Sequence, residues 1–513
     1  MSYSETIHYL YNLRKQGIKL GLDNIFRLMS AFENPHSSFP SIHIAGTNGK
    51  GSTSAIIASV LRASGLRVGL FTSPHLVSFT ERIRVNHEEI TEHEVVNLAE
   101  EIRGKVSYIQ SSDSSFSPTF FEVITAMALL YFKRKRIDIA VIEVGMGGRL
   151  DATNIIIPEV SVITSIGYDH REFLGSTLEE ITHEKAGIIK EGIPVVVSSQ
   201  TPEVLEVIEA KAGEMNTRVY LYGRDFSSVL KREDISGIYF DYFSNDSFMI
   251  PDLYLPLTGE HQMQNASVAI KAIMVALNKK YEKRRNGEKG KRRNNKMTES
   301  LDLRISGSPR QKEDFISAIR KGLLATKWPG RLEMIKDNPP ILIDGAHNAA
   351  AAVALSHTLS KTFLGKYENI ILVFGIMSDK DIEGIMKPLL PLASEIILTS
   401  PNYERAASPD RLATIAASLG FPHVQIAPTV KDALELAQNI CQQSTVSSQQ
   451  SAPPPSPSPL EGEGRGGGEP RDFTIDRRLS TADYLIVVTG SFYTIGEAKE
   501  LIGHTGVLSR LRE

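Results

Sequence analysis

Length, composition and charge already exclude several classes of protein. The chain has 513 residues and 41% hydrophobic content, so it is long enough for more than one domain of ~150 residues and apolar enough to bury real cores. Lys and Arg number 57 against 60 Asp and Glu, a formal net charge of -3, so nucleic acid or an anionic membrane would need a local basic patch. A single cysteine, Cys441, excludes an internal disulfide and a cysteine-rich metal cage.

The N-terminal segment and the hydropathy pattern indicate a cytoplasmic protein without a membrane anchor. The first residues, MSYSETIHYLYNLRKQG, lack the continuous apolar core of a secretory signal, and Glu5 argues against a transit peptide. No stretch reaches the ~18 uninterrupted apolar residues that a membrane span requires. A chain with one cysteine fits a reducing compartment.

Short β-branched runs alternate with helical patterns along the first part of the chain, which is typical of parallel βαβ units. A helix is predicted over 52–64, closed by Gly65. The predicted strands are 41–45, 67–71, 137–143, 160–165 and 194–198.

A second α/β series begins after Trp328. Its apolar runs are PPILIDG (339–345), NIILVFG (369–375), EIILTSP (395–401), HVQIAP (423–428) and YLIVVTG (484–490). The pattern predicts two α/β domains, residues 1–327 and 328–513.

Two segments interrupt this pattern and are predicted to be insertions. One, at about 279–300, opens with ten Lys/Arg against two Glu in residues 279–296. Such a run is more typical of a solvated linker than of a nucleic-acid tether, although composition leaves both open. The other, at about 444–471, is so rich in Pro, Gly and Ser that we predict disorder.

A phosphate-binding loop is predicted at residues 41–52, SIHIAGTNGKGS. Glycines let backbone N–H groups approach phosphate oxygens, a helix N-terminus adds partial positive charge, and Lys50 adds a full one. The strict P-loop spacing is not met, because Ile44 replaces its first glycine and Gly51 separates Lys50 from Ser52. The alternative is an ordinary strand-to-helix turn.

Polar side chains follow the next predicted strands and are candidate Mg²⁺ ligands: Ser73, Glu143 and His170. The carboxyl ends of parallel strands meet at one edge of a sheet, and Mg²⁺ prefers hard oxygen donors. Each residue has a structural alternative. Glu143 could pair with Arg149, His170 could be a structural histidine, and Ser73 could cap the turn before Pro74.

The second series carries a polar motif of its own, DGAHN at residues 344–348, after an apolar strand. Asp344 and His347 are candidates to reach across a domain cleft. The alternative, which the sequence leaves equally open, is Asn348 as a helix N-cap with Asp344 in the turn.

Nine motifs, in order, resemble those of the folylpolyglutamate synthase/dihydrofolate synthase family, the folate branch of the Mur-ligase superfamily. They span nearly the whole chain except the two insertions. They are GTNGKGS (46–52), TSPHL (72–76), ERIRV (81–85), PTFFE (118–122), EVGMGGRLDATN (143–154), DHREFLGSTLEEITHEKAGIIK (169–190), GEHQMQNA (259–266), WPGRLE (328–333) and DGAHN (344–348).

The resemblance implies an ATP-dependent amide ligase with an N-terminal P-loop-type parallel-sheet domain and a smaller Rossmann-like C-terminal α/β domain. ATP would phosphorylate a carboxylate of a reduced folate or dihydropteroate, and L-glutamate would attack the acyl phosphate. It also implies a cytoplasmic enzyme of folate biosynthesis and one-carbon metabolism that needs Mg²⁺; we expect a monomer.

The resemblance assigns roles to matching positions. Lys50, His170 and Lys185 would be catalytic, Lys185 as a carbamate formed with CO₂, although most helix lysines are simply solvated. Ser73, Glu143 and His170 would bind Mg²⁺. The nucleotide would contact Gly49, Lys50, Gly51, Ser52, Asn265, Arg331, Asp344 and His347. The pterin substrate would contact Thr119, Phe120, Phe121, Glu122, Leu150, Asp151 and Ala152.

Two other functions stay open on the sequence. One is another Mur-type amino-acid ligase, against which the PTFFE and SPHL segments argue. The other is a nucleic-acid-binding NTPase that uses the basic run as an arm. The net negative charge of the remaining chain and the lack of interleaved aromatic residues in that run argue against it.

Overall fold

The computed structural model describes residues 1–13, 21–245, 248–285, 309–450 and 484–503, and these form three β-sheets with helices packed on them. Most of both predicted insertions lies outside the described residues. Two helices do enter them, Glu260–Arg285 and Val430–Gln450, so residues 279–285 and 444–450 are helical.

The first sheet has eight strands in the order β4-β3-β2-β5-β1-β6-β7-β8, and all neighbouring strands are parallel except the pairs β2–β3 and β3–β4. All five strands predicted in the first part of the chain are present in it. The strands are β1 Ser41–Ala45, β2 Val68–Phe71, β3 Ile83–Val85, β4 Glu88–Glu89, β5 Ile139–Glu143, β6 Val160–Ile163, β7 Val195–Val197 and β8 Val219–Leu221.

Helices cover both faces of this sheet, so its central strands are buried along their whole length. That double cover explains why these strands read as continuous apolar runs and not as alternating ones. The helix predicted at 52–64 begins earlier, at Lys50. The helices are α1 Tyr3–Asn12, α2 Asp23–Ala31, α3 Lys50–Ala63, α4 Glu92–Gln110, α5 Phe120–Lys135, α6 Arg171–Leu174, α7 Leu178–Ala186 and α8 Pro202–Glu214.

A three-stranded antiparallel sheet, for which we predicted no element, follows α8. It consists of β9 Phe226–Asp234, β10 Gly237–Ser244 and β11 Phe248–Leu255. Its apolar face packs on α9 Glu260–Arg285 and α10 Pro309–Leu324 in the same core as α3. Gly322 of α10 allows this helix to approach α3 closely, since a Cβ at this position would lie only 2.4 Å from the Val60 Cα.

The third sheet has six strands in the order β12-β13-β17-β14-β15-β16, all parallel except β12. It contains each strand predicted after Trp328. The strands are β12 Glu333–Asp337, β13 Pro340–Ile343, β14 Asn369–Phe374, β15 Glu395–Leu398, β16 Gln425–Ile426 and β17 Tyr484–Thr489. The helices are α11 Ala349–Thr358, α12 Ile382–Leu389, α13 Pro409–Ser418, α14 Val430–Gln450 and α15 Phe492–Leu501.

The chain is therefore a two-domain α/β protein, with a parallel-sheet N-terminal domain and a separate C-terminal α/β domain. In each domain the polar motifs follow the carboxyl ends of parallel strands, where ligands bind in such sheets. Within the described ranges, no helix combines the length and the apolar character that crossing a bilayer would need.

Candidate functional site

A strand, a glycine-rich turn and a helix form the predicted phosphate loop, which joins β1 to α3. Gly49, the residue before the helix, has a φ of +88°, a conformation that favours glycine. A Cβ at Gly49 would lie 2.4 Å from the Asn265 Oδ1, so the missing side chain also makes room for α9. The loop thus brings Asn265, predicted as a nucleotide contact, against its own backbone.

Two lysines converge on one carbonyl of this loop. Lys50 Nζ donates to Gly46 O at 3.0 Å and to Thr47 O at 3.2 Å, and Lys185 Nζ, from α7, donates to Gly46 O at 3.0 Å. Lys185 is 3% exposed. Its burial, together with the nearby positive charge of Lys50, lowers the pKa of Lys185 to about 7. A substantial fraction of the Lys185 side chains therefore carries a neutral amine at pH 7. Ser52, also predicted in this loop, is buried in α3.

Glu143 and Ser73, two of the predicted metal ligands, are in direct contact. The Ser73 backbone N–H donates to Glu143 Oε2 at 3.1 Å. Burial raises the pKa of Glu143 to about 7, against the opposing effect of Lys50. The alternative pairing of Glu143 with Arg149 is wrong, because Arg149 Nη2 donates to Glu184 Oε1 at 2.8 Å.

The two domains face each other across a cleft that contains this pair. Gly51, Ser73 and Glu143 line it from the N-terminal domain, and Arg331 and Phe492 from the C-terminal domain, together with Thr72, Pro74, Leu76, Glu81, Arg84, Trp328 and Pro329. A Cβ at Gly51 would lie 2.7 Å from Trp328 Cζ2, so the glycine allows the indole to pack on the phosphate loop.

The DGAHN motif forms the turn that we gave as the structural alternative. Asn348 is the N-cap of α11 and accepts from Ala351 N at 2.9 Å. Asp344 accepts from Leu332 N at 3.0 Å and from Ala346 N at 2.9 Å. These hydrogen bonds fix the Asp344 carboxylate in the turn. Burial raises the pKa of Asp344.

The same motif also contacts the phosphate loop, so the structural and the functional interpretations are compatible. Asn48 and Asn348 exchange side-chain hydrogen bonds of 3.2 and 2.9 Å between the domains. The Arg331 guanidinium carbon lies 4.8 Å from the centre of the Phe492 ring, and the His347 ring lies 5.3 Å from it. Burial lowers the pKa of His347 to about 4, so this imidazole is neutral at pH 7.

Asp169, which follows β6, joins the domains through a charged contact that we did not predict. Asp169 Oδ1 accepts from Lys380 Nζ at 2.9 Å, and its Oδ2 lies 4.0 Å from His347 Nε2 and 3.6 Å from His170 Nε2. The predicted metal ligand His170 therefore lies beside Asp169. Burial alone would raise the pKa of Asp169, but His170, Lys380 and His347 together lower it below its usual value.

Two of the predicted pterin contacts form a capping box at the start of α5. Thr119 N donates to Glu122 Oε2 at 2.7 Å, and Glu122 N donates to Thr119 Oγ1 at 3.3 Å. Next to them, Phe120 is buried. Phe121 packs against Gly145, where a Cβ would lie 2.4 Å from the phenyl ring. The aromatic pair thus lies at the edge of the loop that follows β5.

The remaining pterin candidates lie in that loop, before and within a short 3₁₀ turn, Ala152–Ile155. Asp151 is buried and accepts from Thr153 Oγ1 at 2.5 Å and Met146 N at 2.9 Å, so it organises the loop. Leu150 is half-buried and Ala152 is buried. Among the described residues, no three His, Cys, Asp or Glu side chains cluster closely enough to hold a metal by themselves.

Three of the four residues that we missed, Asn48, Asp169 and Lys380, have partners in the other domain. The fourth, Phe492, lines the cleft and contacts Arg331 and His347 of its own domain. Asn48 and Asp169 lie inside two of the nine motifs, GTNGKGS (46–52) and the segment 169–190, so their polar side chains were a usable signal. Lys380 and Phe492 follow β14 and β17 without a distinctive local pattern. No sequence signal marked these two.

A phosphate loop and a facing C-terminal α/β domain that carries the DGAHN turn define an ATP-dependent ligase of the Mur type. Family models agree with this class. The Mur ligase middle domain matches residues 44–273, and the Mur ligase glutamate ligase domain matches residues 330–447.

Relatives of known name narrow the class. Folylpolyglutamate synthase of Lacticaseibacillus casei is 37% identical over 407 residues, covering 79% of this chain and 87% of that protein. Dihydrofolate synthase/folylpolyglutamate synthase of Bacillus subtilis is 36% identical over 408 residues, with the same coverage. The chain belongs to the folylpolyglutamate synthase/dihydrofolate synthase family of Mur ligases.

Solved structures of this family have the same fold. Mycobacterium tuberculosis folylpolyglutamate synthase complexed with ADP superposes with a TM-score of 0.80 and 30% identity, covering 98% of this chain and 100% of that one. An FPGS–AMPPCP–folate complex gives a TM-score of 0.74 and 31% identity with the same coverage. The predicted family and fold class are confirmed.

Proposed function

We propose that this protein uses ATP to join L-glutamate to the carboxylate of a folate or of dihydropteroate, through an acyl-phosphate intermediate. The observation that carries the proposal is the cleft in which Gly51 of the phosphate loop, the Ser73–Glu143 pair and Arg331 of the facing domain meet. The names of the relatives and the ADP, AMPPCP and folate in the solved complexes support the choice of substrates.

The phosphate loop would hold the triphosphate between the domains. Backbone N–H groups at Gly49, Gly51 and Ser52 lie at a helix N-terminus, where partial positive charge favours phosphate. Lys50 would exchange its two carbonyl hydrogen bonds for phosphate oxygens and offset the charge that develops during transfer. Asn265, Arg331, Asp344 and His347 would complete the nucleotide site.

Magnesium fits the Ser73–Glu143 pair. Glu143 is a buried carboxylate whose pKa is raised to about 7, and a nearby cation would favour its ionised form. Glu143 and the Ser73 hydroxyl are hard oxygen donors, and His170 would be a third ligand. When bound, the metal would neutralise phosphate charge at the transferred group.

Lys185 is proposed to carry a carbamate. Its neutral amine would attack CO₂, forming an N–C bond and releasing a proton. The carbamate anion produced would then lie beside the Lys50 ammonium, and the two opposite charges would attract each other. The shared hydrogen bonds of both lysines to Gly46 O support this arrangement.

The proposed transfer has two steps. A carboxylate oxygen of the pterin substrate attacks the γ-phosphorus and ADP leaves. The amino nitrogen of glutamate then attacks the acyl carbon, and inorganic phosphate leaves. Phosphorylation is needed because the oxygen of a free carboxylate is a poor leaving group. The loops around Thr119, Phe120, Phe121, Glu122, Leu150, Asp151 and Ala152 would receive the pterin, whose flat ring suits aromatic contact.

Purified protein with ATP, Mg²⁺ and glutamate, given tetrahydrofolate or dihydropteroate in turn, tests the proposal. We expect a product one glutamyl residue heavier by mass spectrometry, with ADP release that requires the pterin substrate and glutamate together. Ligation of a different acceptor would favour another Mur-type ligase, and ATP hydrolysis stimulated by nucleic acid would favour the NTPase. We further propose a cytoplasmic monomer with domains at 1–327 and 328–513.

A further inference from the structure

Arg84 is a cation of the cleft that the proposed reaction does not use. It lies on β3, directly across the hairpin from Glu89 on β4, and its side chain lines the cleft with Ser73 and Glu143. Its side chain is 14% exposed. Arg84 is thus a largely buried guanidinium in the same cleft as the groups proposed to bind metal and phosphate.

The hydrogen bonds of Arg84 are incomplete. Nη2 donates to Glu89 Oε1 at 3.2 Å, and Glu89 is 39% exposed, so this pair is weakened by solvent. Nε is buried and has no hydrogen-bond partner within the described residues. A buried donor without a partner is costly, and an anionic ligand group would relieve that cost.

Neighbouring groups leave Arg84 available to such a ligand. Glu81, the other acid on this side of the cleft, already accepts from the backbone N–H groups of residues 76, 77 and 78 at 2.7–2.9 Å. The pKa of His87 is lowered by burial and by the nearby cations Arg62, Arg84 and Lys327. Glu81 is thus occupied by backbone donors and Glu89 is partly exposed, so neither acid fully offsets the charge of Arg84.

The acceptors of the proposed reaction differ in one group that such a site would recognise. A pteroate ends in a single carboxylate, the one that reacts. A folate ends in a glutamyl group with two carboxylates, of which one reacts while the other enters the cleft as an uncompensated anion. Burying that second charge without a partner would be unfavourable.

We propose that Arg84 binds the non-reacting carboxylate of a glutamylated acceptor and so determines the preference for glutamate-terminated over benzoate-terminated pterins. The inference rests on the proposed function, because it assumes that both kinds of acceptor enter this cleft. Arginine suits the role because its planar donors can hold a carboxylate in a bidentate manner.

Isothermal titration calorimetry with folate and with pteroate, at saturating Mg²⁺ and AMPPCP, tests the inference on the full chain. The wild-type protein should bind folate at least tenfold more tightly than pteroate, and Arg84→Gln should reduce this ratio by about 10- to 100-fold, as expected for one charge-assisted hydrogen bond. Arg84→Lys, which keeps the charge but not the planar donors, should give an intermediate ratio.

Arg62→Gln is the matched control, because Arg62 also has a buried Nε without a partner but does not line the cleft. It should leave the ratio unchanged. The inference is overturned if the wild-type ratio is near one, if Arg84→Gln and Arg62→Gln lower it equally, or if Arg84→Gln weakens AMPPCP instead of folate. If Arg84→Gln does not fold, an unchanged ratio in Arg84→Lys overturns it. AMPPCP binding with no binding of either pterin would refute the proposed function itself.

Discussion

Replacing Lys185 by methionine should stabilise the protein at neutral pH while it abolishes ligation. Lys185 is buried, and its ammonium shares the Gly46 carbonyl with Lys50. Methionine has a similar length and needs no counter-charge, so it would remove a buried cation and a repulsive contact. The Gly46 carbonyl would keep its hydrogen bond from Lys50.

The pH dependence of the effect follows from the pKa of Lys185, which is about 7 in the folded protein against 10.5 for an ordinary lysine. Below pH 7 both states carry the proton, and the folded state bears the full cost of the buried charge. Between pH 7 and 10.5 only the unfolded state carries it, so the stability of the wild type rises with pH. From pH 7 to pH 9 this gain is about 2 kcal/mol at 1.36 kcal/mol per pH unit.

Urea unfolding followed by circular dichroism, in buffer depleted of CO₂, measures the effect. Lys185→Met should be more stable than the wild type at pH 7, and the difference should shrink by about 2 kcal/mol at pH 9. Bicarbonate should stabilise only the wild type and support its activity, and a short carboxylic acid should partly rescue Lys185→Ala. Parallel pH profiles for the two proteins, or full ligase activity in Lys185→Met, would refute the reasoning.

Three further predictions concern the other parts of the site. Lys50→Ala should abolish ligation with an unchanged circular dichroism spectrum, because Lys50 contributes charge at the phosphate and little packing; product mass spectrometry measures this. Asp169→Asn and Lys380→Met should each lower kcat/KM, and the double variant should show a coupling energy of about 1 kcal/mol or more, because the ion pair joins the domains. Affinity for Mg²⁺ with AMPPCP should fall up to about tenfold per pH unit below pH 7, where Glu143 is protonated, and Glu143→Gln should remove this dependence in calorimetry.

Each of these has a result that contradicts it. Near-wild-type turnover of Lys50→Ala would end the assignment of the phosphate loop. Additive effects of the two single variants would mean that Asp169 and Lys380 act independently. An affinity that is flat between pH 6 and 8 in the wild type would exclude Glu143 as the titrating metal ligand.

The antiparallel sheet β9 to β11 illustrates a feature that the sequence contained and that we did not predict. Residues 237–244, GIYFDYFS, are rich in aromatic and apolar side chains, which favours a strand. The predicted strands all belong to parallel βαβ units, in which helices separate the strands. Successive strands joined by short turns belong to another pattern, and recognising it would have placed the sheet.

The sequence by itself determined the α/β class, the strand-to-helix phosphate loop and the polar residues at the strand ends, because these depend on neighbours a few positions apart. Gly49 before Lys50, and Glu143 at the end of an apolar run, can be identified without a partner. The tertiary structure alone decided the contacts between domains, such as Asn48 with Asn348, which are 300 positions apart. It also decided the burial of Lys185, since burial depends on how separate elements pack, and local periodicity does not encode that packing.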